Sequence, residues 1–113
     1  MPISVSTRVS LAGWHSWPHA SDDRKYLAAL HRHLFDVTLE VDVRTTDRDV
    51  EFHDLRDFII AWWGDEHDQV DRGSCEAMTV QLVADAAANR LTARSASISE
   101  DGECWATWWS GNR

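Results

Sequence analysis

From His31 to Val43 the chain alternates with a period of two: the odd positions are His31, His33, Phe35, Val37, Leu39, Val41 and Val43, the even ones Arg32, Leu34, Asp36, Thr38, Glu40 and Asp42. This is a half-buried strand with one dry face. Two histidines open that face one pleat apart, with their rings on the same side. A strand that needed only burial would carry Val or Ile there, because a buried imidazole needs a hydrogen-bond partner or a metal. A lone histidine in such a place is more often a hydrogen-bonded core residue, and a pair leaves both readings open. A third histidine upstream shifts the balance toward a metal.

Residues 3–15 alternate in the same way, with Ile3, Val5, Thr7, Val9, Leu11, Gly13 and His15 on one parity and Ser4, Ser6, Arg8, Ser10 and Ala12 on the other. His15 therefore ends a strand on its apolar side. Residues 16–30 begin with turn formers and are long enough to reverse the chain, so the two histidine-bearing strands can pair antiparallel. Residues 42–49 are charged and polar, the end of the second strand and a turn. From Val50 the period changes to that of a helix whose buried face is predicted to carry Phe52, Leu55, Ile59 and Trp62, stopped by Gly64. A polar connector, 65–73, leads to Ser74, a good N-cap with Glu76 in the first turn, and Met78, Leu82, Val83 and Ala86 mark a second helix closing near Asn89. Leu91 to Ser99 is extended, Asp101-Gly102 signals a hairpin, and Cys104 to Trp109 is a last strand rich in Trp. The order strand, strand, helix, helix, strand, strand predicts a two-layer α+β domain spanning 1–113, an antiparallel four-stranded sheet with two helices on one face. Its outer strands would leave backbone groups unpaired unless another subunit covers them, so association is expected.

Composition narrows the class. With 113 residues, seven Trp and 43% hydrophobic residues, the chain can bury a core as one domain, and no apolar run reaches the roughly 18 residues of a membrane span. A net charge of −8 with ten scattered Arg and one Lys excludes a nucleic-acid or anionic-membrane binder. The start, Met1-Pro2-Ile3-Ser4-Val5, has no signal-peptide pattern, and Cys75 and Cys104 stand in no metal-type spacing, which fits a cytoplasmic chain. Three neutral imidazoles with one open position are the ligand set of a catalytic zinc, so His15, His31 and His33 are the candidate ligands of Zn²⁺.

At these residues the sequence resembles a known family along nearly its whole length. Leu11-Ala12-Gly13-Trp14-His15-Ser16-Trp17-Pro18 is similar to the Phe-x-Ala-Ala-His-x-Leu-Pro motif of the 6-pyruvoyl-tetrahydropterin synthases and the related 6-carboxy-tetrahydropterin synthases of the queuosine pathway. Leu30-His31-Arg32-His33-Leu34-Phe35 resembles their Leu-His-Gly-His-x-Phe/Tyr. Val50-Glu51-Phe52-His53-Asp54-Leu55-Arg56 resembles Val-x-Asp-Phe-x-x-Leu-Lys. Glu66-His67 stands where the family has Asp-His, Ser74-Cys75-Glu76 where it has Thr-Ser/Thr-Glu, and Glu100 with Trp105, Ala106 and Trp108 fits the spacing of its closing Glu-Thr-x-x-x-Trp-Ala-x-Tyr. The resemblance implies a tunnelling fold that oligomerises into a β-barrel, as a hexamer or another barrel-forming assembly, with Zn²⁺ on His15, His31 and His33. It also implies a zinc-dependent lyase acting on 7,8-dihydroneopterin triphosphate or a related pterin or purine in 7-deazaguanine biosynthesis. Glu100 would anchor the pterin, because a carboxylate accepts two parallel hydrogen bonds from the amino and ring N–H edge. Ser74, Cys75 and Glu76 would offer backbone N–H groups to the ring's acceptors. His67, oriented by Glu66, is the candidate proton carrier. Apart from the resemblance, Glu100 reads as a solvated hairpin carboxylate, Ser74 as a plain N-cap and His67 as a loop histidine beside acids.

The departures concern the reaction. The family's general-base Cys, four residues before the first His of the pair, is here Leu27, and an alkyl chain cannot carry a proton. Asp22 and Asp23 lie in the same loop at the wrong spacing. Arg32 replaces the Gly between the paired histidines, on the outward parity, and Glu66 replaces Asp. The alternative is therefore a non-catalytic or repurposed member that binds a pterin- or purine-like ligand.

Overall fold

The computed structural model describes residues 2–111. Strand β1 (Ile3–His15) pairs antiparallel with β2 (His31–Val43) over their whole lengths, from Ile3 opposite Val43 to His15 opposite His31. The loop between them contains a short 3-10 turn at Asp22–Leu27. Helices α1 (Phe52–Trp63) and α2 (Cys75–Ala88) follow, then β3 (Ala93–Glu100) and β4 (Cys104–Trp109). The sheet order is β1-β2-β3-β4, every pair antiparallel, with the helices on one face. This is the α+β arrangement that the element order predicted. Among the described residues no helix is long and apolar enough to cross a membrane.

The buried face holds Val9, Leu11, Phe35, Val37, Leu39, Val41, Ala96 and Ile98 from the sheet, against Leu55, Ile59 and Trp63 of α1 and Met78, Leu82 and Ala86 of α2. Because β1 and β2 keep one register throughout, their odd positions share this face, and so do all three histidines. One detail of the helix stripe differs from expectation. Phe52 lies within the stripe by angle yet is 63% exposed, because it opens α1 at the end of the sheet remote from the histidines, near Ile3 and Val43. Trp63 rather than Trp62 is the buried tryptophan, while the Trp62 indole N–H reaches across to Asp85 of α2 at 2.9 Å.

Trp63 ties α1 to β1. Its indole N–H donates to the Ala12 carbonyl at 2.8 Å, and the Arg72 guanidinium lies 3.9 Å from its ring. Arg72 also donates to the Trp63 carbonyl at 2.7 Å, and its own N–H donates to the Trp14 carbonyl at 3.0 Å. The polar connector 65–73 is thereby docked on the end of β1. Glu66 belongs to the same docking: its Oε1 accepts the Ala12 N–H at 2.7 Å, covering a donor on the free edge of β1.

On the helix-free face the charged side chain of Asp36 is buried, 9% exposed. Arg8 donates to it at 2.8 Å and the Ser10 hydroxyl donates to its other oxygen. These bonds, Ser10 first and then Arg8, hold its carboxyl below the usual carboxylate range. A depressed pKa gives stability that is complete above the unfolded value near about 4 and is lost as pH falls through the folded one. Asp36→Asn is therefore expected to cost about 1–3 kcal/mol at pH 7 and to flatten the acid limb of the stability curve, read from urea midpoints at pH 7 and pH 3.

Candidate metal centre

His15 is the last residue of β1 and His31 the first of β2, directly opposite in register, and His33 sits one pleat inward opposite Gly13. The ring centroids are 4.6 Å apart for His15 and His31, 5.1 Å for His15 and His33, and 5.0 Å for His31 and His33. Each offers a ring nitrogen, and the three lie within 4.8 Å of one another, so the cluster could hold a metal ion. Ligand atoms of a tetrahedral ion with bonds of about 2.0 Å stand about 3.3 Å apart, a contraction that small ring rotations supply.

The outer hydrogen bonds determine which nitrogen faces inward. Nδ1 of His15 lies 3.0 Å from the Gly73 carbonyl, Nδ1 of His31 lies 2.9 Å from the Ala29 carbonyl, and Nδ1 of His33 lies 2.7 Å from Asp101 Oδ2. All three partners are acceptors, so each neutral ring carries its proton on Nδ1 and keeps the Nε2 lone pair for the centre, as a metal-binding imidazole requires. Burial pushes the His15 pKa down, which favours the neutral ligand form. Its bond to His33 holds the Asp101 carboxyl below the usual range. Asp101 also brackets Leu34, accepting its N–H at 3.0 Å and donating its own N–H to the Leu34 carbonyl at 2.7 Å.

Gly73 reaches His15 because the connector is pinned there. Asp71 bridges to Trp14 and accepts from the Ser16 N–H at 3.2 Å, from the Ser16 hydroxyl and from the Gly73 N–H at 2.9 Å. The same path delivers Ser74 to the site, where its Oγ caps α2 by accepting the Ala77 N–H at 3.1 Å.

A cavity of about 390 Å³ opens beside the cluster, within the range of small-molecule sites. His15 and His31 form one wall, Glu100 from the end of β3 another, and Ser74, Cys75 and Glu76 from the first turn of α2 a third. Trp17 and Leu27 complete it, held together by the Trp17 N–H donating to the Leu27 carbonyl at 2.7 Å. The residues singled out in the sequence from four separate segments thus meet at one place. Cys75 is buried, and desolvation, then Glu100 and Glu76, push its thiol up to about 12, so it stands there as a neutral thiol. Glu100 lies with Oε1 3.0 Å from His15 Nε2 and Oε2 3.8 Å from His33 Nε2.

Other residues lie elsewhere. His67 is exposed on the connector, its N–H donating to Asp65 Oδ1 at 2.8 Å, and it does not line the cavity. The Glu66 carboxylate is engaged by Ala12. Asp22 and Asp23 are exposed in the 3-10 turn and do not line the cavity, and Arg32 is exposed on the opposite side of the sheet, as its parity predicted. Sequence reasoning missed the partners of the Nδ1 atoms. In the sequence Asp101 reads as a turn former, and the signal for its second role is its place beside Glu100 at the end of a strand.

Fold and site together define a two-layer α+β domain carrying a three-histidine cluster suited to a metal ion. No protein-family model matches the chain, and no curated protein is significantly similar to it.

Proposed function

We propose that this chain is a zinc-dependent lyase of the 6-pyruvoyl/6-carboxy-tetrahydropterin synthase type, acting on 7,8-dihydroneopterin triphosphate or a related pterin or purine. The observation that carries the reading is the cluster of three histidines beside a single cavity, which His15 and His31 line together with Glu100 and the start of α2. His15, His31 and His33 would hold the zinc. A zinc ion so held supplies Lewis-acid polarisation of a ligand hydroxyl and steadies the charge left when a neighbouring C–H proton departs.

The chain's own residues orient the substrate. Glu100 accepts the paired N–H donors of the ring edge, Ser74, Cys75 and Glu76 present first-turn N–H groups to its acceptors, and Trp17 offers an aromatic face. His67 would move protons only in a neighbour's cavity, which its exposure on the connector permits. That role goes with a homo-oligomer, supported by the exposed Trp105 and Trp109 on the edge strand β4.

A second reading has its own support. Leu27 lines the cavity where the resembled family carries a thiol, and among the described residues the wall holds two carboxylates but no lysine or arginine for a triphosphate tail. This favours a protein that binds the heterocycle without converting it. Incubating the zinc-loaded protein with dihydroneopterin triphosphate separates the two. Release of inorganic triphosphate is the expected result; tight binding without release selects the second reading, and release regained in Leu27→Cys would place the deficit at that side chain.

A further inference from the structure

We propose that Glu100 is an internal fourth ligand of the three-histidine centre, closing it at rest and giving way when a ligand enters the cavity. The inference rests on the metal-binding reading above and assigns Glu100 a second role beyond that of ring anchor. Glu100 pairs in register with Phe35, so its side chain leaves the sheet on the face shared by His33, one pleat away. Its two oxygens stand 3.0 Å from His15 Nε2 and 3.8 Å from His33 Nε2, distances that bracket the separation of about 3.3 Å between ligands of one tetrahedral ion.

His15 Nε2 makes the case stronger. It is buried and has no hydrogen-bond partner, although a carboxylate oxygen lies 3.0 Å away, because that oxygen is not in hydrogen-bonding position. With the ring proton committed to the Gly73 carbonyl, a buried acceptor nitrogen and a carboxylate oxygen stand close together with no hydrogen bond joining them. Such a contact is repulsive while the ring is neutral and no cation is bound by both atoms. One ion bound by Nε2 of the three rings and by a Glu100 oxygen resolves the conflict, with no hydrogen bond needed between ring and carboxylate. Three neutral imidazoles and one carboxylate also leave a divalent ion with a single net positive charge, which is easier to bury than two.

A closed centre selects its ligand. An incoming molecule must bring a donor atom for the ion and, to hold the displaced carboxylate, an N–H group within reach of it. A heterocycle with adjacent heteroatom and N–H edge meets both demands, and a simple anion meets only the first.

The test uses the full chain loaded with Co²⁺ as a spectroscopic stand-in for zinc, with azide as the probe of an open position. Wild type is expected to resist azide, whereas Glu100→Gln is expected to shift the visible Co²⁺ bands, to bind azide at lower concentration and to lose at least about tenfold to a hundredfold in zinc affinity measured against a chelator. Glu100→Asp, which keeps the charge on a shorter arm, is expected to fall between them, and thermal melts of the metal-free variants establish that each is folded. If Glu100→Gln and Glu100→Asp leave spectrum, azide response and affinity unchanged while His31→Ala abolishes metal uptake, the three-histidine centre stands and the role of Glu100 as a ligand is overturned. If wild type takes up neither Co²⁺ nor Zn²⁺, the centre itself falls.

Discussion

Gly13→Ala is expected to destabilise the domain by about 3 kcal/mol or more, a large part of the roughly 5–15 kcal/mol that holds a domain together. A methyl group at Gly13 would stand 2.5 Å from Trp63 Cζ2 and 3.1 Å from both Cδ and Nε of Arg72. Overpacking is cheap only where a neighbour can move, and Trp63 cannot do so freely. Its indole N–H is bound to Ala12, Arg72 covers one side, and the Phe35 ring lies 5.4 Å away. Relief by rotating the indole would strand a buried N–H, which itself costs about 1–3 kcal/mol. Gly111→Ala is the control: the residue is exposed, has no positive φ and would bring an added methyl within 4 Å of nothing, so a change within about 0.5 kcal/mol is expected. Urea midpoints of the two variants measure the difference, and equal midpoints would mean that the indole has somewhere to go. Gly13 lies between Ala12 and His15 on β1, so zinc uptake should fall along with stability in the alanine variant.

The strands were legible because period two carries both the element and its face. Once residues 3–15 and 31–43 alternate, an antiparallel register that keeps their apolar sides together places His15 opposite His31 and leaves His33 on the same side. Glu100 and the first turn of α2 joined them because strand parity and the N-cap at Ser74 bring both to that end of the sheet. The supports of the site were harder to read. Two of the three Nδ1 acceptors are the backbone carbonyls of Ala29 and Gly73, and a carbonyl has no residue-type signature; its position depends on the loop path. That path depends in turn on Asp71 and Arg72 docking against Trp14 and Trp63, contacts between segments that local patterning cannot register. The same reason explains Glu66: beside His67 in sequence it suggested a pair, whereas its carboxylate is taken up by the Ala12 N–H on the edge of β1. Phe52 illustrates the limit of helical angle as a guide, since the angle places a residue on a face but does not say whether the sheet extends beneath it.

His31→Ala and Asp101→Asn should separate a ligand from its support. Removing the His31 ring takes away one of three Nε2 donors, and zinc measured after dialysis is expected to fall from one ion per chain to near zero. Asp101→Asn leaves all three rings in place but replaces the carboxylate that orients His33 from 2.7 Å, so binding should persist with affinity lower by about 10–100-fold. Stability should follow the same order. A bound ion at a hundred times its dissociation constant adds about 2.7 kcal/mol, so zinc should raise the melting temperature of wild type clearly, of Asp101→Asn less, and of His31→Ala not at all. Acid should weaken binding in all metal-competent forms, because a ligand imidazole must be neutral and protons compete with the ion for its lone pair. His15 works in the same direction on the metal-free fold. Its folded pKa lies below the ordinary imidazole value, so the unfolded chain binds the extra proton first, and stability declines as pH falls through 6.5 toward the depressed value. Zinc should therefore shift the acid-unfolding midpoint of wild type downward while leaving that of His31→Ala in place, and identical zinc responses in the two proteins would mean that the three rings do not share an ion.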